Sequence, residues 1–207
     1  LQANIRAIVD AGGIASINHP NFKWSFDHES ISQVTGASLL EIFNGHPYTN
    51  LYGGHGHYSA EEIWDKVLSG GKPIFGVATD DSHNYKDFSP SHSNPGRGWV
   101  MVQSAALNKE SILEALSSGK FYASTGVKLI KLDSSQQGIS IEIEQERDLI
   151  YTTRFTTVNG ELLTEVNGLT ADYRSTGNET YIRATVINSS GTRAWTQPVF
   201  LNEAYDG

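Results

Sequence analysis

Two aspartates and a histidine stand together in GVATDDSHNY, residues 76–85, directly after a short apolar run with the marks of a buried strand. Asp80, Asp81 and His83 are the residue types that hold divalent metals or move protons. The same placement recurs twice. IASIN delivers His19, followed by Pro20, and SLLEIF, which carries Glu41, delivers Asn44 and His46. In parallel α/β folds ligands gather beyond the carboxyl ends of the strands, so three such ends point to one place. Imidazole nitrogen and carboxylate oxygen suit Zn, Mn or Fe, and a carboxylate can bridge two ions. Taken singly, a His-Pro after a strand is an ordinary turn and an Asp pair an ordinary cap. Their convergence favours a hydrolytic metal site.

Other residues carry weaker versions of the same chemistry. Arg97, in SNPGRGWVMV, sits in a Gly/Pro loop entering a strand, where a guanidinium could clamp an anionic substrate bidentately or simply pair with a surface carboxylate. His55 and His57 in GGHGHYSAEE have the spacing of a metal clamp, but their glycine-rich flanks read as a solvated loop over the site mouth. His28 and His92 read as surface residues. Lys120 and Tyr122 in GKFYASTG are anion- or hydroxyl-binding candidates whose simpler reading is a helix C-terminal charge and a packed aromatic.

The elements that must position these residues have two rhythms. Up to about residue 126 apolar runs alternate with helical patterns. NIRAIVDAGG is a helix with Ile5, Ile8 and Val9 on one face; SAEEIWDKVLSGG has Ser59 and Glu62 spaced as a capping box and Gly70 to stop it. NKESILEALSSGK is a helix capped by Asn108, and IASIN, SLLEIF, KPIFGVAT and GWVMVQ read as strands. Alternation of this kind predicts a parallel α/β sheet or part of a barrel, although four strands fall well short of the roughly eight units that close one. From Val127 to Gly207 only strands are predicted, rich in Ile, Val, Thr and Tyr and separated by turns such as SSQQG and STGN, which reads as a β-sandwich-like domain. The expected domains are therefore 1–126 and 127–207.

Composition narrows the function. The 207 residues are 38% hydrophobic, enough for a sizeable core, and the formal net charge of −8 without any basic run argues against a nucleic-acid partner. No apolar stretch reaches the length of a membrane span. With no cysteine, disulfides and thiolate metal sites are excluded and the compartment, cytoplasmic or exported, stays open. The chain opens on LQANIRAIVDAGG, already inside an amphipathic pattern, which reads as a piece of a longer protein.

Taken in order, INHP, EIFNG, WDKVLSGGKPIFGVATDDSH and SGKFYASTG resemble the C-terminal half of the PHP (polymerase and histidinol phosphatase) superfamily, particularly its metallohydrolase branch with a trailing β domain; YIRATVINSSGTRAWTQPVF is similar to that β-rich tail. The resemblance implies the C-terminal part of a distorted β/α barrel holding two or three divalent ions (Zn, Mn or Fe). His19 stands at the His-Pro metal motif and Asp81 and His83 at the Asp-x-His pair, with Asp80, Glu41 and Asn44 supporting the site. The family's N-terminal His-x-His motif has no counterpart; His55-Gly-His57 follows the wrong strand. The expected parent is thus a metal-dependent hydrolase, first of all a phosphoesterase, acting on a small anionic substrate through metal-activated water. Arg97 positions the anion, and an N-terminal fragment of the same protein completes the site. The alternatives are hydrolysis of another ester, amide or carbamate bond, or a non-catalytic module whose Tyr151, Tyr173, Tyr181 and Trp195 serve as platforms for a glycan or protein partner.

Overall fold

The computed structural model describes residues 1–201. In chain order the elements are α1 (Gln2–Asp10), β1 (Ala15–Ile17), α2 (His28–Gln33), β2 (Ala37–Asn44), α3 (Ala60–Ser69), β3 (Phe75–Thr79), β4 (Trp99–Val102), α4 (Lys109–Ser117) and β5 (Phe121–Ser124). Then come β6 (Leu129–Ser135), β7 (Gly138–Ile143), β8 (Tyr151–Thr156), β9 (Leu162–Asn167), β10 (Thr170–Arg174), β11 (Tyr181–Asn188), β12 (Arg193–Thr196) and β13 (Val199–Phe200). Among the described residues no helix is long and apolar enough to cross a membrane.

The expected part of a β/α barrel does not form. Helix accounts for 20% of the chain and the strands fall into three sheets, a β-rich fold rather than an α/β one. Parallel pairing is confined to the order β1-β2-β3. The reason lies between Thr79 and Trp99, where no helix forms. A parallel neighbour needs a crossover to carry the chain back; without one, GWVMVQ becomes β4 and pairs antiparallel with β5. Those two strands continue into a seven-stranded sheet of order β4-β5-β12-β11-β8-β9, with β13 also on β11. The third sheet is β10-β7-β6, antiparallel throughout.

The seven-stranded sheet is covered on both faces, and β11 is buried along nearly its whole length, polar residues included. Ile182, Ala184 and Val186 face the three-stranded sheet, in a core with Ile139, Ile141, Ile143 and Phe155. Tyr181 on the other face joins Trp64, Val67 and Leu68 of α3 and Leu40 and Ile42 of β2. Its neighbours Arg183 and Thr185 reach the α3 acids. α3 starts on the expected capping box: Ser59 Oγ accepts from Glu62 N–H, and the Glu62 carboxylate accepts from Ser59 N–H at 2.7 Å. Gln197 fastens the free edge of β3, accepting from Gly76 N–H at 2.8 Å and donating to Gly76 O at 2.9 Å, as a strand would. α1 forms where expected but buries Ile5 alone, leaving Ile8 and Val9 exposed.

Candidate functional site at the strand ends

The carboxyl ends of β1, β2 and β3 bring the predicted residues side by side. β2 does so through a local irregularity: Glu41 pairs with Val77 and Phe43 with Ala78, so Ile42 is an extra residue, a bulge. Period-2 alternation would send residues 41 and 44 to opposite faces; the bulge restores them to one. Asn44 Nδ2 consequently donates to Glu41 Oε2 at 2.9 Å and to Asp81 Oδ2 at 3.2 Å, tying β2 to the end of β3. Glu41, only 2% exposed, also accepts from the His19 backbone N–H on Oε2 and from the Thr79 hydroxyl on Oε1. One carboxylate thus joins all three strand ends. No lysine or arginine among the described residues pairs with it.

Two of the predicted metal ligands have left-handed backbones, His19 with φ 31° and Asp81 with φ 47°. Non-glycine residues hold such angles at a cost of order 1–3 kcal/mol, and they cluster at functional sites. The surroundings enforce it: the Asp81 carbonyl accepts from the Ser93 hydroxyl and lies 2.7 Å from His83 Nδ1, while His83 N–H donates to Ser93 O at 3.0 Å. With a carbonyl facing Nδ1, that nitrogen carries the proton, and the Nε2 lone pair of His83 is left for a ligand, the arrangement metal-binding histidines use. His46, whose ring stands edge-on to His83 with centroids 5.7 Å apart, has the opposite tautomer: Tyr48 N–H donates to its Nδ1 at 3.2 Å, so the neutral ring presents Nε2–H.

Asp80 and Arg97 brace the loop that carries Asp81 and His83. Asp80 Oδ1 accepts from the N–H groups of Arg97 and Gly98, the latter at 2.9 Å. The Arg97 guanidinium donates to Gly45 O at 2.9 Å, Ser89 O at 2.6 Å and Asn94 Oδ1 at 3.1 Å. This contact requires glycine at 45: a Cβ there would stand 2.7 Å from Arg97 Cβ. Arg97 still borders an open cleft of about 570 Å³, together with Asn44, His46, Tyr52, Thr125 and Thr192. Of the other histidines, His57 stacks on Trp24 at 4.1 Å and His55 is exposed. Tyr122 accepts from Leu129 N–H at 3.0 Å, and burial pushes its hydroxyl pKa up. Tyr151, Tyr181 and Trp195 are buried, so their rings are not open platforms.

Sequence reasoning missed Thr79, Ser93 and Asn94. Ser93 and Asn94 are both 2% exposed and hold the 81–97 loop in shape. Nothing in SPSHSNPG marks two of its polar residues as buried, since the same letters serve any solvated loop.

By donor type the cluster fits Zn, Mn or Fe. By placement the fit is partial: Asp81 and His83 stand together, His83 Nδ1 lying 3.7 Å from Asp81 Oδ1, but among the described residues no group of three or more His, Asp or Glu is arranged to hold an ion. Comparison with known proteins returns no match: no family model, no curated protein and no solved structure matches the chain.

Proposed function

We propose that this chain supplies part of the active centre of a metal-dependent hydrolase acting on phosphoesters. The observation that carries the reading is the Glu41-centred network, which draws three strand ends together and leaves Asp81 Oδ1 and His83 Nε2 free to bind. Asp81 and His83 are the ligands, and His19, held to Glu41 through its backbone, lies at the neighbouring strand end. The remaining donors come from outside the described residues, for which an N-terminal fragment of the same protein is the proposed partner. A divalent ion supplies Lewis acidity and a water acidic enough to ionise near neutral pH.

The chain's own residues do the rest. Glu41 and Asn44 orient Asp81. His46 presents an N–H toward the cleft where phosphoryl oxygens gain charge, a donor of the kind that stabilises such charge. Arg97 and Asp80 hold the loop in register, and the guanidinium adds positive potential at the cleft wall.

Elemental analysis with intact mass spectrometry of the purified protein, followed by hydrolysis of 4-nitrophenyl phosphate with added Zn2+ or Mn2+, tests the reading. The expected result is bound metal, an accompanying fragment and turnover that D81A lowers at least 100-fold. Turnover that survives D81A, or an absence of both metal and turnover, overturns it.

A further inference from the structure

Next to the open cleft lies a recess of about 70 Å³ bounded by Phe43, Leu51, Ser59, Glu61, Arg193 and Trp195. The two spaces share Phe43, Leu51, Tyr52, Thr125 and Gly191 and so lie side by side. At the recess Trp195 is 2% exposed and its indole N–H has no hydrogen-bond partner. Its neighbour Glu61 is largely committed: Oε1 lies 3.1 Å from Arg183 Nη1 and 3.0 Å from Thr185 Oγ1, and Oε2 is 3.2 Å from Arg193 Nη1. Burial pushes the Glu61 carboxyl up, but Arg183, the Trp195 indole beside it, Arg193 and Thr185 outweigh that and hold its pKa below the usual carboxylate range, although Trp195 Nε1 makes no hydrogen bond of ordinary geometry. An unpaired buried donor beside an ionised acceptor with a lone pair to spare is a position for a group that both accepts and donates. That group is a hydroxyl.

The cleft in front has matching chemistry. Apart from Arg97 at one end, its wall carries no charged side chain and is rich in hydroxyls; the protons of two are already used, Thr49 Oγ1 donating to His46 O at 3.1 Å and Ser190 Oγ to Asn188 Oδ1 at 2.8 Å, which leaves oxygen lone pairs for incoming donors. Tyr52, 77% exposed, offers a flat apolar face to the C–H side of a ring. We propose that cleft and recess bind a neutral polyol or sugar, with one hydroxyl accepting from Trp195 Nε1 and donating to Glu61. The inference rests on the phosphoesterase reading in one respect: the polyol is then the alcohol part of the ester, its phosphoryl group lying at the Asn44–His46 end of the cleft, where those two residues adjoin Asp81 and His83.

The test uses the full chain and its four tryptophan indole N–H signals in 1H–15N spectra. D-glucose, D-ribose, glycerol and myo-inositol are titrated separately, with tetrahydropyran as a ring without hydroxyls. The signal lost in W195F is Trp195. The expected result is a saturable shift of that signal with at least one polyol and none with tetrahydropyran, and a loss of affinity of tenfold or more in L51F, which fills the recess without touching the donor. A Trp195 signal unmoved by all four polyols, as a recess that holds only water would give, or an equal response to tetrahydropyran, overturns the proposal. Polyol binding by a protein that hydrolyses no sugar phosphate would leave the recess assigned and sink the phosphoesterase reading. Hydrolysis of 4-nitrophenyl phosphate with no polyol response would do the reverse.

Discussion

Two clusters of charged side chains lie on either side of β2, and they solve the problem of buried charge in opposite ways. Behind α3, Arg183 is 2% exposed and makes a two-bond pair with Asp65, Nε to Oδ1 at 2.7 Å and Nη2 to Oδ2 at 2.6 Å. Glu61 and the Trp64 ring close round the same guanidinium, and the Tyr181 hydroxyl donates to Asp65 Oδ1 at 2.9 Å. At the strand ends, Glu41 is equally buried but is met only by neutral donors, and Asp80 and Asp81 add two more carboxylates nearby. The first cluster is balanced within the chain and joins α3 to the seven-stranded sheet. In the second, no lysine or arginine among the described residues forms an ion pair with the carboxylates. Burying a charge is costly unless it is paired, and under the proposed function the acidic cluster on this bulged strand, flanked by left-handed His19 and Asp81, receives a cation from outside.

Breaking each cluster separately tests that contrast. R183M leaves Asp65 buried without its cation and Glu61 with Arg193 alone, and is expected to cost about 3–5 kcal/mol in urea unfolding, with D65N nearly as severe. If R183M unfolds like the wild type, the network does not bind the two layers. E41Q is expected to behave in the opposite way, changing the stability of the metal-free protein by no more than about 1 kcal/mol while weakening Zn2+ binding roughly 10- to 100-fold. A large loss of stability with unchanged Zn2+ affinity would place Glu41 in the structural class instead.

Acid sensitivity sharpens the comparison at a third buried carboxylate. Burial opposes ionisation of Glu179, but the Tyr173 hydroxyl and the Thr176 N–H and hydroxyl more than offset it and bring its pKa down to about 2. A folded value below the unfolded one stabilises the protein above the ordinary carboxylate range, and that stability fades as pH falls from about 4.5 toward about 2. E179Q should therefore flatten the unfolding free energy across that interval and leave Zn2+ binding unchanged; an unaltered pH profile would contradict the assignment. The smallest effect is expected at α4, where Asn108 accepts from Ser111 N–H at 2.9 Å. N108A should cost about 1 kcal/mol and move neither metal affinity nor pH profile, which makes it the control for the other three.

How much of this the sequence discloses depends on the range of the interaction. The Ser59–Glu62 box and the Asn108 cap are local hydrogen bonds, and both helices begin where those residues predict. The strands IASIN, SLLEIF and KPIFGVAT are read correctly because their apolar runs are local too. Sheet partnership is not local: that β4 would turn to β5, and β5 to β12 some 70 residues later, depends on a crossover helix that does not form between Thr79 and Trp99. At the site, His19, Asp81 and His83 are named by position after strands, whereas Arg97's grip on Gly45 and the reach of Asn44 to Asp81 need the bulge at Ile42, for which EIF carries no signal.

The central claim is that Asp81 and His83 bind a divalent ion as a pair. Its most direct test is a Zn2+ titration of the metal-free protein, following the ring nitrogen signals of its histidines. The account predicts that the His83 Nε2 signal moves saturably with Zn2+ while Nδ1 keeps its proton, and that D81A abolishes the response. A His83 ring unaffected through millimolar Zn2+, or a D81A protein that responds as the wild type does, would contradict it.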